Sequence, residues 1–185
     1  MPIPCFKGGR DFDLFARNSA RVMSPGNVPV SASTVRIRAA RPGDERALFE
    51  LVQQLAVFEQ LSHVVSGSAE ALGRHLFGER PAVEAIVAEA ADRLLGFALF
   101  FGTYSTFLTR PGVYLEDLFV LESERRKGIG RALLSEVRRI AEARGAGRLE
   151  WSVLDWNENA IRFYRGFGAE VLPDWRICRI VLEPK

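Results

Sequence analysis

The chain is 185 residues long, 48% hydrophobic and 26% charged, which suits one domain large enough to bury a core. Its 25 basic and 23 acidic residues leave a net charge of +2, without the excess positive surface that a nucleic-acid partner requires. Cys5, Cys178, His63 and His75 are not at metal-ligand spacing, and no apolar run reaches membrane-spanning length, so a metal site, a disulfide scaffold and a membrane partner are not expected.

Residues 1–33 carry Pro, Gly, Ser and Asn at high density without a sustained period. They read as a disordered extension ahead of a single domain over residues 34–185. No apolar core of a secretory signal is present; Arg10, Arg17 and Arg21 leave organelle targeting open, Asp11 and Asp13 argue against it, and a cytoplasmic location is expected. TVRIRAA, starting at Thr34, alternates apolar and basic residues as a first strand does. The turn Arg41-Pro42-Gly43-Asp44 leads into a helix with Leu48, Leu51, Val52 and Leu55 on one face, running to about Leu61. A second helix follows from its cap at Ser68 to Leu76, with Gly78 beyond its end. Residues 83–89 and 94–104 flank the polar Ala91-Asp92-Arg93 turn and read as a hairpin. The loop 105–112 reads equally as functional surface or as a plain connector.

Residues 113–121, VYLEDLFVL, form a central strand interrupted by one acidic pair, Glu116 and Asp117. A polar turn and the run RRKGIG (Arg125, Arg126, Lys127, Gly128, Ile129, Gly130) come next. Ile129, Leu133, Val137 and Ile140 then recur at helical spacing until Gly145. Strand, basic glycine loop and helix together make an anion site, because backbone N–H groups converge at a helix N-terminus and the glycines let a phosphate approach. The spacing is neither that of a P-loop nor that of a dinucleotide fingerprint. Residues 148–154 read as a further strand, Asp155-Trp156-Asn157-Glu158 as a turn and N-cap, 159–167 as a short helix closed by Gly168, and 169–172 with 177–182 as a last hairpin around Pro173-Asp174-Trp175. The order β-α-α-β-β-β-α-β-α-β-β is mixed α/β (α+β), with a mainly antiparallel central sheet flanked by helices.

R-x-x-G-x-G directly after a strand resembles the acyl-CoA pyrophosphate loop of the GNAT superfamily of N-acetyltransferases. DWNENAIRFYRGFGAE, from Asp155, resembles that superfamily's later helix in its Asn157, its Phe163-Tyr164 pair and its Phe167-Gly168-Ala169 stop. LAVFE from Leu55, YLEDLFV from Tyr114 and Trp156-Asn157-Glu158 are similar to the spermidine/spermine N-acetyltransferase family, which also includes enzymes for thialysine. The likeness runs from about Val35 to Leu182. It implies an acetyl-CoA-dependent enzyme that moves an acetyl group directly to the primary amine of a small molecule, a diamine, polyamine or thialysine-like compound. A homodimer is also implied.

An alkyl amine with a pKa of roughly 10 is almost wholly protonated at neutral pH, so the reaction needs a base. Glu116 is the first choice, through water, with a purely structural carboxylate as the alternative. Adjacent strand residues face opposite ways, so Glu116 and Asp117 share a site only if a bulge intervenes. Tyr164 is the candidate acid for the departing thiolate, with a core tyrosine as the alternative. The resemblance implies that Leu118, Phe119 and Val120 offer backbone groups to the pantetheine arm and that Asn157 hydrogen-bonds it. Arg126 to Gly130 would cradle the pyrophosphate, with Arg125 adding charge; Arg126 and Lys127 read equally as a solvated face. For the amine, the resemblance points to Phe58, Glu59, Tyr104, Phe107, Glu116, Asp117 and Trp175. Gln60, Ser62, His63 and Ser105 stand where polyamine enzymes place several acidic residues, so a shorter diamine or an amino-acid side chain fits better. A protein or peptide N-acetyltransferase and a non-catalytic CoA-binding regulatory module are the alternatives.

Overall fold

In the computed structural model, residues 34–182 are described. The extension expected over 1–33 lies outside them. Strand β1 (Arg36–Ala39), helix α1 (Glu45–Phe58) and helix α2 (Ala69–Phe77) precede a meander of β2 (Glu84–Ala90), β3 (Arg93–Ser105) and β4 (Arg110–Val120). Helix α3 (Ile129–Ala143), the two-residue strand β5 (Leu149–Glu150) and helix α4 (Glu158–Phe167) complete the set. The sheet runs β1-β2-β3-β4-β5, antiparallel throughout except for the parallel β4–β5 pair.

Helices α1 and α3 both pack against β3 and β4, and scarcely meet each other, so they cover opposite faces. Leu48, Leu51 and Leu55 of α1 and Leu133, Leu134 and Val137 of α3 are buried against Phe97, Phe100 and Leu115 of the sheet. Because both faces are covered, β2 and the first half of β3 read as continuous apolar runs instead of an alternation. Ser68 Oγ accepts from Ala71 N–H (3.2 Å) and Asn157 Oδ1 from Ala160 N–H (3.1 Å), so both expected caps form. Gly168 ends α4 at φ +98°, a backbone region that suits glycine.

One tie anchors the far end of the sheet. Arg38 on β1 donates to Asp44 (2.6 and 3.0 Å), just before α1, and to Glu89 on β2 (2.7 and 2.9 Å). Burial alone would raise the Asp44 pKa, but hydrogen bonds from Arg38 and Arg41 hold it below the usual range. The hydrogen bond from Arg38 does the same for Glu89. These are acids with their counter-charge in hand.

Two expectations change. The last hairpin does not form: residues 169–182 contain no strand, and Leu172, Trp175, Ile177, Ile180, Val181 and Leu182 are all exposed. Alternation earns a strand only where a ladder partner is within reach, and this segment finds none among the described residues. The strand expected over 148–154 shrinks to Leu149–Glu150, because β4 and β5 stay together for only two pairs, Val113 with Leu149 and Tyr114 with Glu150.

Candidate active site

Beyond Tyr114 and Glu150 the two strands part, and the β5 side of β4 lies open. At the same point β4 carries a bulge. Leu99 of β3 opposes Asp117 while Phe100 opposes Leu115, which leaves Glu116 as the extra residue. Two hydrogen bonds show its effect. Val113 N–H points to Arg148 O on the β5 side (3.1 Å), whereas Leu121 N–H points to Leu95 O on the β3 side (2.9 Å). In a regular strand these residues would aim their N–H groups the same way. The bulge reverses the alternation, so the main chains of Leu118 and Val120 face the opening and that of Phe119 faces β3. Phe119 is therefore not the backbone donor expected for the pantetheine arm.

The basic loop follows the end of β4. Arg126 adopts φ +63° and Gly128, at the start of α3, φ +82°. A left-handed residue immediately before a helix turns the chain so that the first N–H groups of α3 are exposed, and glycine does this without strain. Gly130 follows in the first turn, where a β-carbon would come into ordinary contact with Val120 and Phe163. Lys127 pairs with Glu124 at 3.0 Å. The Arg125 guanidinium lies 4.4 Å above the Phe58 ring and 5.6 Å from that of Phe119, while its Nε–H donates to Val120 O (3.1 Å). The cap formed by Asn157 uses its side-chain oxygen and leaves its amide N–H groups as donors.

Tyr164, buried on α4, packs on Trp151 and Phe163 with ring centroids 4.9 and 5.3 Å apart. Tyr164 and two carboxyls beside it, Asp117 and Glu59, are all raised. Burial, then the negative charges of Glu116 and Glu59, push the Asp117 carboxyl up to about 6. Burial raises Glu59. The Tyr164 phenol is pushed up to about 12, first by burial and then by the charges of Glu59 and Asp117. Glu116 itself is exposed at the bulge. Among the described residues no lysine or arginine pairs with Glu59, Glu116 or Asp117, and no group of carboxylates is arranged to hold a metal ion. The site is short of positive charge.

Glu59, Asp117 and Tyr164 are thus brought together, and Phe58 joins them through Arg125 and through Trp156, 5.9 Å from its ring. Tyr104, Phe107 and Trp175 are not gathered in. Tyr104 is five residues along β3 from Leu99, the partner of Asp117, a distance of about 17 Å. Phe107, at the tip of the β3–β4 turn, is 92% exposed, and Trp175 is 72% exposed. Trp151 and Trp156 were not singled out for the site by sequence reasoning. Both lie where β5 breaks down into a turn; the Trp156-Asn157-Glu158 match is the signal that could have marked Trp156, and the sequence holds none for Trp151.

A family model described as the Acetyltransferase (GNAT) family matches residues 51–169. The chain is 35% identical to an L-ornithine N5-acetyltransferase of Arabidopsis thaliana, over 84% of this chain and 90% of that one. It is 36% identical to a thialysine N-epsilon-acetyltransferase of Mus musculus, over 77% of this chain and 88% of the other. Among solved structures, an integron cassette protein from the mobile metagenome of V. cholerae matches with a TM-score of 0.67 at 27% identity, covering 80% of this chain and 92% of that chain. An opened β4–β5 pair, a glycine loop at a helix N-terminus and these likenesses define an N-acetyltransferase. The chain belongs to the GNAT acetyltransferase family.

Proposed function

We propose that the protein acetylates the primary amine of a small molecule, a diamine or an amino acid with an aminoalkyl side chain such as ornithine or thialysine. The observation that carries this reading is the cluster of Glu59, Asp117 and Glu116, without a cationic partner among the described residues, beside Tyr164 and the opening between β4 and β5. An ammonium group is the ligand such a deficit favours, because it offsets the cost of holding like charges out of water. The names of the relatives support the same class: one acts on L-ornithine, the other on thialysine.

The residues present suit acetyl-CoA, which when bound supplies the thioester whose acetyl group moves to the amine. The exposed N–H groups at the start of α3 and the glycines of the loop suit its pyrophosphate. The open main chain of Leu118 and Val120 and the free amide of Asn157 suit its pantetheine amides. Asp117 is the better match for the proton acceptor, since a carboxyl at about 6 lies closest to the working pH. Glu116, next to it and exposed, would pass the proton on to water. Tyr164 remains a neutral phenol up to about 12 and so keeps its proton for the leaving sulfur. An ammonium held by Glu59 and Asp117 would cancel the two charges that help raise Tyr164, making it a stronger acid when the amine is present.

We also propose a homodimer, supported by the exposed apolar residues over 171–182, which have no ladder partner among the described residues. Light scattering on the full chain and on a chain ending at Leu172 tests it: mass falling from dimer to monomer supports the reading, and an unchanged monomer in both rejects it. The activity is tested by free-thiol release from acetyl-CoA with ornithine, thialysine, lysine, putrescine, spermidine and a lysine-containing peptide. Fast turnover of one or two short amines is expected. Preference for the peptide would overturn the small-molecule assignment, and tight acetyl-CoA binding without turnover would favour a regulatory module.

A further inference from the structure

Arg125 opens the basic loop, yet its side chain turns back into the fold. Its Nε–H donates to the carbonyl of Val120, the last residue of β4 (3.1 Å). Its guanidinium carbon lies 4.4 Å from the centroid of Phe58, within the range of a cation–π contact, and 5.6 Å from that of Phe119. Phe58 is the final residue of α1 and the immediate neighbour of Glu59. Its ring also packs on Trp156 at 5.9 Å, one residue before the Asn157 cap of α4. One guanidinium therefore joins the strand end, the glycine loop and the helix end that carries an amine-side carboxylate.

The end of α1 needs such a tie. No basic residue occupies its last turn, and the chain leaves it through Gln60 at φ +61°, a strained conformation for a residue with a side chain. Phe58 is 38% exposed and Val57 66% exposed, so core burial alone does not fix the orientation of this turn. A planar guanidinium stacked on the Phe58 ring and hydrogen-bonded to Val120 does so, whereas an ammonium at the same place supplies charge but no plane.

We propose that Arg125 is a positioning residue for the amine. It acts through Phe58 to hold Glu59 in register with the acyl-donor loop, in addition to any charge that it lends to a phosphate. The inference rests on the amine-acetylating reading above, and its test has one arm that does not.

The test compares Arg125→Lys, Arg125→Met, Phe58→Leu and the Arg125→Met/Phe58→Leu double variant in the full chain. For the preferred amine, KM should rise about tenfold in each single variant, with lysine giving no rescue. The double variant should be no worse than either single variant, because both remove the same contact. Acetyl-CoA affinity should change less than threefold in Arg125→Lys. The independent arm uses no ligand. Tryptophan fluorescence, taken as the difference between each protein and the same protein carrying Trp156→Phe, should shift in Arg125→Lys and Arg125→Met as it does in Phe58→Leu. If Arg125→Lys restores the amine KM while Arg125→Met weakens acetyl-CoA binding tenfold and leaves the Trp156 signal unmoved, Arg125 serves the phosphate alone and the proposal fails. If no amine is turned over but the Trp156 signal shifts as expected, the tie stands and the amine reading fails. Should Arg125→Met not fold, the lysine and Phe58→Leu variants carry both arms.

Discussion

Two groups of carboxylates sit at different places on this sheet, and their titration runs in opposite directions. Asp44 and Glu89 share the Arg38 guanidinium, whose side chain is only 9% exposed, and both acids are held below their ordinary range. Among the described residues Glu59 and Asp117 have no such partner, and both are raised. The residue types are the same; the difference is whether the fold supplies the cation. Where it does, the carboxylates join β1, β2 and the start of α1. Where it does not, the missing charge is left for a ligand to bring.

The comparison breaks most visibly at Asp117. Asp117→Asn should lower kcat/KM about a thousandfold if that carboxyl takes the amine proton. In the wild type, activity should climb with pH through about 6, the value to which burial raises this group, and the asparagine variant should lose that limb. The same substitution should stabilise the protein. A carboxyl raised in the folded state binds its proton more tightly there than in the unfolded chain, so its contribution to stability falls as pH rises from about 4 to 6. Asp117→Asn should therefore gain about 2 kcal/mol in urea unfolding at pH 8 and nothing at pH 3.5. A destabilised asparagine variant at pH 8 would remove the contrast between the two groups.

Arg38→Met should do the reverse. It leaves Asp44 and Glu89 close together without their cation, which should cost about 2 kcal/mol of stability in the same measurement while the KM for amine stays unchanged. Because Asp44 and Glu89 are lowered in the folded state, their contribution is present at neutral pH and fades as pH falls through the carboxylate range. The Arg38→Met deficit should fade with it. Tyr164→Phe should reduce kcat about a hundredfold with little change in KM, separating the proton donor from amine binding. Glu59→Gln is expected to have the smallest effect, raising amine KM about tenfold and shifting the activity limb to lower pH, because one of the charges that raises Asp117 is gone.

Much of this architecture was legible in the sequence because it depends on local features. The strand 113–121, the RRKGIG loop and the amphipathic helix after it lie next to one another in the chain, and their composition and spacing were enough to read them in order. Ser68 and Asn157 were readable as caps for the same reason. What escaped depends on partners far away in the sequence. The bulge at Glu116 changes no composition and appears only once β3 is laid beside β4. It decides which of Leu118, Phe119 and Val120 faces the opening, and it is what would let an acidic pair on neighbouring residues serve the one site proposed above. Arg125 looked like a charge for an anion, because nothing near it in the chain shows that Phe58 lies beneath it. The last hairpin was over-read, since an alternating pattern records a capacity to pair and says nothing about what is there to pair with.

The extra residue at position 116 also sets how this strand can change over evolutionary time. Substitutions at Glu116 alter one exposed side chain and leave the ladder on either side intact. Deleting Glu116 would join Leu115 to Asp117 in a regular ladder in which Asp117 still opposes Leu99, Leu115 still opposes Phe100, and the main chains of Leu118 and Val120 still face the opening. As far as the ladder is concerned, sequence drift at this site is thus open to loss of a residue as well as to changes of identity, so a homologous chain with a one-residue gap here should keep both flanks in register.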